Sequence, residues 1–295
     1  MRVAVIVNPI AGVRGTPERV GRRTALAMDL LQSHGAVAEV HITQRAGHAR
    51  ELAAGAVQRG AHVVVAWGGD GTVNEVAGAL VKTQAALAII PSGSGNGLAR
   101  MLGMPSAAEA AIPRILGGTD RAIDVGDIDG RLFVNVAGIG FDAHIAAEFA
   151  AAGRRRRGFV RYGSIVLREL RTYGGRRYRV ILDELPEAEH DAFLLSFANG
   201  RQWGNGAVIA PAAELDDGAL DAVVVSSRTP GAVLWTIPRL FRGTVDRAAG
   251  VTIARVKTAR ICAGHPLIFH ADGESFAGGE SLTVRVVPGV LLLRS

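Results

Sequence analysis

Four short strand-like runs, Val3–Val7, Val37–Ile42, His62–Trp67 and Leu87–Ile90, alternate with helical patterns over the first 125 residues. No other feature limits the fold as strongly. Strands separated by helices of about a dozen residues must run parallel, because only a crossover returns the chain in the same direction. The helix starts and stops are explicit. Thr16-Pro17 supplies an N-cap hydroxyl and a proline at the first helical position, with Gly35 as the stop. A second helix is predicted over His48–Gln58 with Gly60 closing it, and a third over Val73–Val81. The expected fold class is α/β, with an N-terminal Rossmann-like parallel sheet domain.

After Asp124 the rhythm changes. Arg131–Ala137, Arg177–Leu182, Ala192–Ala198, Leu220–Ser226, Thr252–Val256, Leu267–His270 and Leu282–Val287 read as strands separated by Gly, Pro and Asp turns. This predicts a C-terminal antiparallel β-sandwich. Two helical stretches interrupt it, Asp142–Tyr173 (broken over Gly153–Gly158) and Gly231–Phe241, the latter kinked or ended by Pro238. The expected domains are 1–125 and 126–288, with 289–295 returning to the first through Val290–Leu293.

Composition narrows the class. Among 295 residues, 48% are apolar and 20% charged, which excludes long disorder. The single cysteine, Cys262, excludes an internal disulfide framework and a four-cysteine zinc site, and fits a reducing cytosol. Aliphatic runs of about five residues fall far short of the ~20 that span a bilayer. Asn8-Pro9 arrives too early for a signal-peptide core. A soluble, cytoplasmic chain is expected. Its net charge of +6 is uneven: residues 150–180 hold ten arginines (Arg154 to Arg157, Arg161, Arg168, Arg171, Arg176, Arg177, Arg179) against Glu169 alone. Such a patch suits an anionic membrane surface. Phe159, Tyr162, Val166, Leu170 and Tyr173 would form the apolar stripe of a basic amphipathic helix there, or simply pack in the core. Nucleic acid is not expected, because aromatics are not interleaved for base stacking.

Three glycine-bearing loops each follow a predicted strand of the first domain: Asn8-Pro9-Ile10-Ala11-Gly12, Gly68-Gly69-Asp70-Gly71-Thr72 and Ser92-Gly93-Ser94-Gly95-Asn96-Gly97. Open α/β sheets bind ligands at the carboxyl ends of their strands, where these loops converge. Glycine admits a ligand to the backbone, N–H groups at a helix start attract phosphate, and Thr72 and Ser94 add hydroxyls. Neither of the last two is a P-loop, since Gly-Lys-Ser/Thr is missing. A polyphosphate site is expected. An acid repels phosphate, so Asp70 is expected to act through a cation or to orient another group. In the second domain, Asp216-Asp217-Gly218 is a plain turn or a hard-cation site. Asp272-Gly273-Glu274 is a surface turn or carries a general base. Asp142 could be a helix N-cap.

Asn8-Pro9-x-x-Gly12, Gly68-Gly69-Asp70-Gly71-Thr72-x-Asn74-Glu75, the stretch from Pro91 to Arg100 and Asp272-Gly273-Glu274, in this order, resemble the diacylglycerol kinase catalytic family. That family includes bacterial lipid kinases, sphingosine kinases and ceramide kinases. The resemblance implies ATP and Mg²⁺ held between a nucleotide-binding domain and a lipid-receiving sandwich. By matching position, Asn8, Pro9, Gly68, Gly69, Asp70, Gly71, Thr72 and Asn74 would line the nucleotide. Thr43, Ser94, Gly95 and Asn96 would be further contacts. Asp217, with the carbonyls of Glu214 and Ala219, would hold magnesium whose waters connect to Asp70. Glu274 would be the proton acceptor, with Asp142 as second candidate at the substrate hydroxyl. Ser94-Gly95-Asn96-Gly97 stands where many diacylglycerol kinases have Thr-Gly-Asn-Asp, closer to the sphingosine and ceramide version. The expected activity is phosphorylation of a diacylglycerol- or sphingoid-type lipid at a membrane periphery, with a homodimer left open. Two alternatives stay open: a soluble-substrate kinase of the NAD kinase type, and a non-catalytic nucleotide-binding regulator.

Overall fold

Residues that must be dry on both faces of a parallel sheet are dry here: Val3–Val7 are all 0% exposed, and Val63–Gly68 and Ala86–Pro91 are buried throughout, whereas the edge strand Val37–Ile42 is partly open. The computed structural model describes residues 1–12, 16–151, 159–226 and 230–295. These divide into one unit of Met1–Ile123 with Gly289–Ser295, and a second of Asp124–Pro288.

The first unit contains β1 (Arg2–Val7), α1 (Pro17–Ser33), β2 (Val37–Ile42), α2 (His48–Gln58), β3 (Val63–Gly68), α3 (Asp70–Leu80), β4 (Ala86–Pro91), α4 (Gly97–Met101) and α5 (Ala108–Gly117). The sheet runs β4-β3-β1-β2 and every pair is parallel. Thr16 caps α1 by accepting the Arg19 N–H, and Gly35 (φ +74°) follows its end. The helix that the third glycine loop opens is the short α4, whereas α5 has no counterpart in the sequence pattern. Pro113 lies inside α5 and hides it from a reading that treats proline as a stop.

β5 (Asp120–Ile128) leads into the second unit, followed by β6 (Arg131–Phe133), β7 (Val136–Gly140), α6 (Phe141–Ala151), α7 (Phe159–Glu169), β8 (Arg176–Leu182) and β9 (Ala188–Ala198). Then come β10 (Gln202–Gly204), β11 (Ala207–Val208), β12 (Leu220–Ser226), α8 (Pro230–Arg242), β13 (Val251–Val256), β14 (Thr258–Cys262), β15 (Ile268–Ala271), β16 (Glu274–Ala277) and β17 (Ser281–Arg294). This is the antiparallel β-sandwich that the strand pattern predicts. β9 is its hub, pairing with β7, β8 and β12. Its residues alternate between two cores. Leu195 and Phe197 join Phe133, Tyr178, Ile261 and Phe269, whereas Leu194 and Ala198 join Phe141, Ile145, Ile165 and Leu170.

Several sequence expectations need correction. The run Arg131–Ala137 is two strands, because Val134, Asn135 and Val136 donate their N–H groups to the Asp272 carboxylate instead of a ladder (2.8, 2.9 and 3.1 Å). α8 continues past Pro238, which is exposed and costs the helix one internal hydrogen bond. β14 and β16 were missed, since Arg260 and Glu274 make both look like loop. The helical stretch expected to reach Tyr173 ends at Glu169, and where described its apolar stripe faces inward: Val166 on α7 and Leu170 and Tyr173 just past it pack on Phe141 and its neighbours.

Candidate functional site

The carboxyl ends of β1, β3 and β4 carry the three glycine loops, and side-chain hydrogen bonds lock them to one another. Asn8 donates from Nδ2 to Thr72 Oγ1 at 2.9 Å and accepts the Ile10 N–H at 3.1 Å, joining the first loop to the second. The second and third loops are joined by Asp70, whose two carboxylate oxygens accept the N–H groups of Asn96 and Gly97, each at 2.8 Å. Asn96 sits at φ +52° and closes its own loop, accepting from Gly93 N–H (2.9 Å) and donating to Gly93 carbonyl (2.8 Å). Arg100 reaches back to the Gly95 carbonyl at 3.0 Å. Thr43 is buried at the end of β2, its N–H bonded to the Val7 carbonyl.

The glycines are sterically required. A Cβ on Gly93 would stand 2.6 Å from Gly69 Cα and 2.9 Å from Asn96 Oδ1. One on Gly68 would overlap the Thr72 side chain, and one on Gly12 (φ +79°) would overlap the Ser92 carbonyl. Backbones this close bring the loops together into one floor. α3 has Gly69 at its N-cap and no side chain capping it. The first-turn N–H groups of a helix have no helical carbonyl to bond, and the helix dipole favours an anion there. Ser94 is exposed above this floor, and Ser92 Oγ is a buried hydroxyl with no partner among the described residues. Burial pushes the Asp70 carboxyl above the usual carboxylate range, and the two backbone N–H groups pull it part of the way back.

One residue of this site escaped the sequence reading of roles. Glu75, on α3, accepts the N–H groups of Gly47 (2.9 Å) and Ala49 (3.0 Å), capping α2 from a neighbouring helix. The only sequence signal was its place in the Gly-Gly-Asp-Gly-Thr-x-Asn-Glu string.

In the second unit, Asp217 Oδ1 accepts the Ala219 N–H at 3.0 Å, an Asx turn, and Oδ2 pairs with Arg255. Buried Asp124, unforeseen from the sequence, accepts the Gly218 N–H at 2.6 Å. Glu214 is exposed and Ala219 buried on either side of this turn. Asp221 lies next to Asp217. Burial and the Asp217 charge push its carboxyl up, with Arg255 opposing. Among the described residues no three His, Cys, Asp or Glu side chains cluster for a metal. A single carboxylate with turn carbonyls and waters is nonetheless a usual magnesium donor set, and Asp217 and Asp221 together carry more negative charge than the one Arg255 beside them offsets.

Asp272-Gly273 forms a two-residue hairpin turn between β15 and β16. Both residues have positive φ (+48° and +84°), as a type I′ turn requires. Glu274, the first residue of β16, is exposed. Asp142 is not a simple N-cap: it lies within the first turn of α6, with its side chain 9% exposed and bonded to Ser196 and His270. Part of the arginine excess is neutralised. Arg177 pairs with Asp191 (3.2 Å) and Glu189 (3.7 Å), Arg179 with Glu187 (3.5 Å), and Arg168 with Glu148 and Glu169. Arg154 to Arg157 lie outside the described residues, as do the side chains of Phe159, Arg161 and Tyr162. No described helix is long and apolar enough to cross a membrane.

The diacylglycerol kinase catalytic domain model matches residues 2–128, and the YegS C-terminal NAD kinase beta sandwich-like domain model matches residues 135–294. A "Diacylglycerol kinase" of Mycobacterium tuberculosis is 31% identical, covering 98% of this chain and 94% of that one. A "Probable lipid kinase YegS-like" of Pseudomonas aeruginosa is 34% identical over 85% of this chain and 82% of its own. The crystal structure of a diacylglycerol kinase from Bacillus anthracis superposes with a TM-score of 0.73 at 20% identity, covering 99% of this chain and 96% of that one. At that identity the likeness speaks for the fold.

Proposed function

The chain belongs to the diacylglycerol kinase family, and from that premise we propose that this lipid kinase transfers the γ-phosphoryl group of ATP to the hydroxyl of a diacylglycerol- or sphingoid-type lipid. The observation that carries the reading is the interlock of three glycine loops through Asn8–Thr72 and Asp70–Asn96/Gly97. Rigid N–H groups aimed at one place are what phosphoryl transfer asks of a protein, since positioning and charge stabilisation do most of the work.

The hydrogen-bond accounting divides the labour among the expected nucleotide residues. Asn8, Asp70 and Asn96 spend their side chains on holding the loops. Gly69, Gly71, Thr72 and Ser94 are then the groups proposed to meet phosphate, with Pro9, Gly68 and Gly95 shaping the floor and Thr43 and Asn74 flanking it. The close approach of the loops at Gly12, Gly68 and Gly93, and a Ser92 hydroxyl without a partner among the described residues, support a polyphosphate held at these loops. Asp217, with the carbonyls of Glu214 and Ala219, would hold Mg²⁺, which when bound offsets phosphate charge. Glu274 is proposed to accept the proton of the lipid hydroxyl. Exposed and leaving a rigid turn, it is free to do so. Transient contact with an anionic membrane surface is proposed for the arginine-rich segment 150–180.

The test incubates labelled ATP and magnesium with diacylglycerol, ceramide, a sphingoid base, phosphatidylglycerol and NAD in parallel. Label entering a lipid fraction is the expected result. Label in the NAD product alone would move the chain to the soluble-substrate reading. Binding of ATP without any turnover would make it a regulator.

A further inference from the structure

Three neighbouring strands of the second unit put His270, Gly138 and Ser196 in one row. His270 on β15 stands opposite Gly138 on β7, and Gly138 stands opposite Ser196 on β9. Gly138 leaves a gap in that row, and a Cβ there would overlap an Asp142 oxygen. α6 starts immediately after β7, so its first turn lays the Asp142 carboxylate back into the gap. Ser196 donates its hydroxyl to Asp142 Oδ2 at 2.7 Å, and His270 Nε2 approaches the same oxygen at 3.3 Å. Asp142 Oδ1 accepts the Ala143 N–H at 2.8 Å. Both the acid and the imidazole are almost wholly buried, at 9% and 6% exposure.

The second ring nitrogen carries the consequence. His270 Nδ1 accepts the N–H of Gly273 at 3.3 Å. A neutral imidazole with its proton on Nε2 satisfies both contacts at once. The serine is not an activated nucleophile, because its hydroxyl points to the carboxylate and not to the histidine. Gly273 immediately precedes Glu274 and follows Asp272, whose carboxylate is already fixed to Val134, Asn135 and Val136. The turn is therefore tied down on both of its residues, and the tie nearest Glu274 runs through the histidine.

We propose that His270 is a positioning residue for Glu274, anchoring the Asp272-Gly273 turn to the buried Asp142 carboxylate and so fixing the direction in which Glu274 leaves it. This rests on Glu274 being the proton acceptor. Displacing a catalytic group by about 1 Å can cost on the order of 10²-fold in rate.

Two substitutions separate the two bonds. His270→Gln keeps a donor toward Asp142 and loses the acceptor for Gly273, whereas His270→Asn keeps an acceptor where Nδ1 stood. The expected result is a kcat lowered about 10- to 100-fold in His270→Gln with KM for ATP unchanged, and a smaller loss of kcat in His270→Asn, which keeps the Gly273 bond but gives up the tie to Asp142. In glycine-labelled protein the Gly273 amide proton should move upfield in His270→Gln and by less in His270→Asn, a readout independent of turnover. On a Glu274→Gln background, His270→Gln should cause no further loss. Wild-type kcat in His270→Gln, an unmoved Gly273 resonance, or losses that multiply with Glu274→Gln would each overturn the proposal. Full activity in Glu274→Gln itself would instead overturn the proton-acceptor reading, taking the target of the positioning with it.

Discussion

Replacing Asp70 with asparagine tests the loop interlock most directly. The carboxylate accepts two backbone N–H groups at 2.8 Å, one on each oxygen. Hydrogen bonds to a charged group contribute about 1.5–3 kcal/mol each, so the pair holds roughly 3–6 kcal/mol of gross interaction. Asparagine keeps one acceptor and turns an NH₂ toward the other N–H. It retains about 1 kcal/mol from one neutral bond and leaves a donor facing a donor. Burial of the charge works against that gain, as the raised pKa shows, so the loss is taken as the one backbone donor left unsatisfied, about 1–3 kcal/mol in the order of the third loop. If nucleotide binding must supply even 1.4 kcal/mol of that, affinity falls about tenfold. Calorimetric titration with ATP should therefore show Asp70→Asn binding at least about tenfold more weakly than wild type, whatever happens to turnover. Unchanged affinity with lost turnover would refute the reasoning and place Asp70 in the chemistry itself. Stability carries a second signature. Burial raises the folded pKa of Asp70 above its unfolded value, so this carboxyl's contribution is complete below the unfolded pKa and declines as pH rises through the folded one. The stability gap between wild type and Asp70→Asn, from urea unfolding, should widen as pH is lowered from 7 into the carboxylate range. A gap that narrows would contradict it.

Glu274→Gln should lower kcat by about 10²–10⁴-fold and leave calorimetric ATP affinity intact, and an equal loss of affinity would make the residue part of the nucleotide site. Gly93→Ala forces a methyl against Gly69 Cα and Asn96 Oδ1, neither of which can swing away, and should cost about 1–3 kcal/mol in urea unfolding together with ATP affinity. A wild-type unfolding midpoint would show that the two loops part freely. Asp221 should titrate above the ordinary aspartate range by carboxyl NMR. Asp217→Asn removes a neighbouring negative charge and should bring that titration down, as should magnesium if it occupies this turn. An unmoved titration would dissociate Asp221 from the proposed cation site.

The sequence showed the parallel sheet and its loops because local rules govern both. An aliphatic run followed by glycines and then a helical pattern has few ways to fold. What Asp70 does was hidden. Its partners, Asn96 and Gly97, follow a second strand, and nothing in the spacing says that a carboxylate after β3 will accept amides after β4. The row of His270, Gly138 and Ser196 around the Asp142 carboxylate was hidden for a related reason. Its members come from β7, α6, β9 and β15, and only the register of three strands aligns them. Pro113 and Pro238 misled in the other direction, since both helices bear the loss of one hydrogen bond. Counting arginines over 150–180 without the acids on β9 and before it overstated the patch, because cross-strand pairs cannot be read along the chain.

Gly138 and Asp142 cannot vary independently. The smallest side chain at the first would claim the volume that an oxygen of the second occupies. Any homologous chain carrying alanine or more at this position must turn aside, shorten or discard the acid four residues on, so the two columns should change together in an alignment. An engineer filling the strand for stability would evict the carboxylate without touching it.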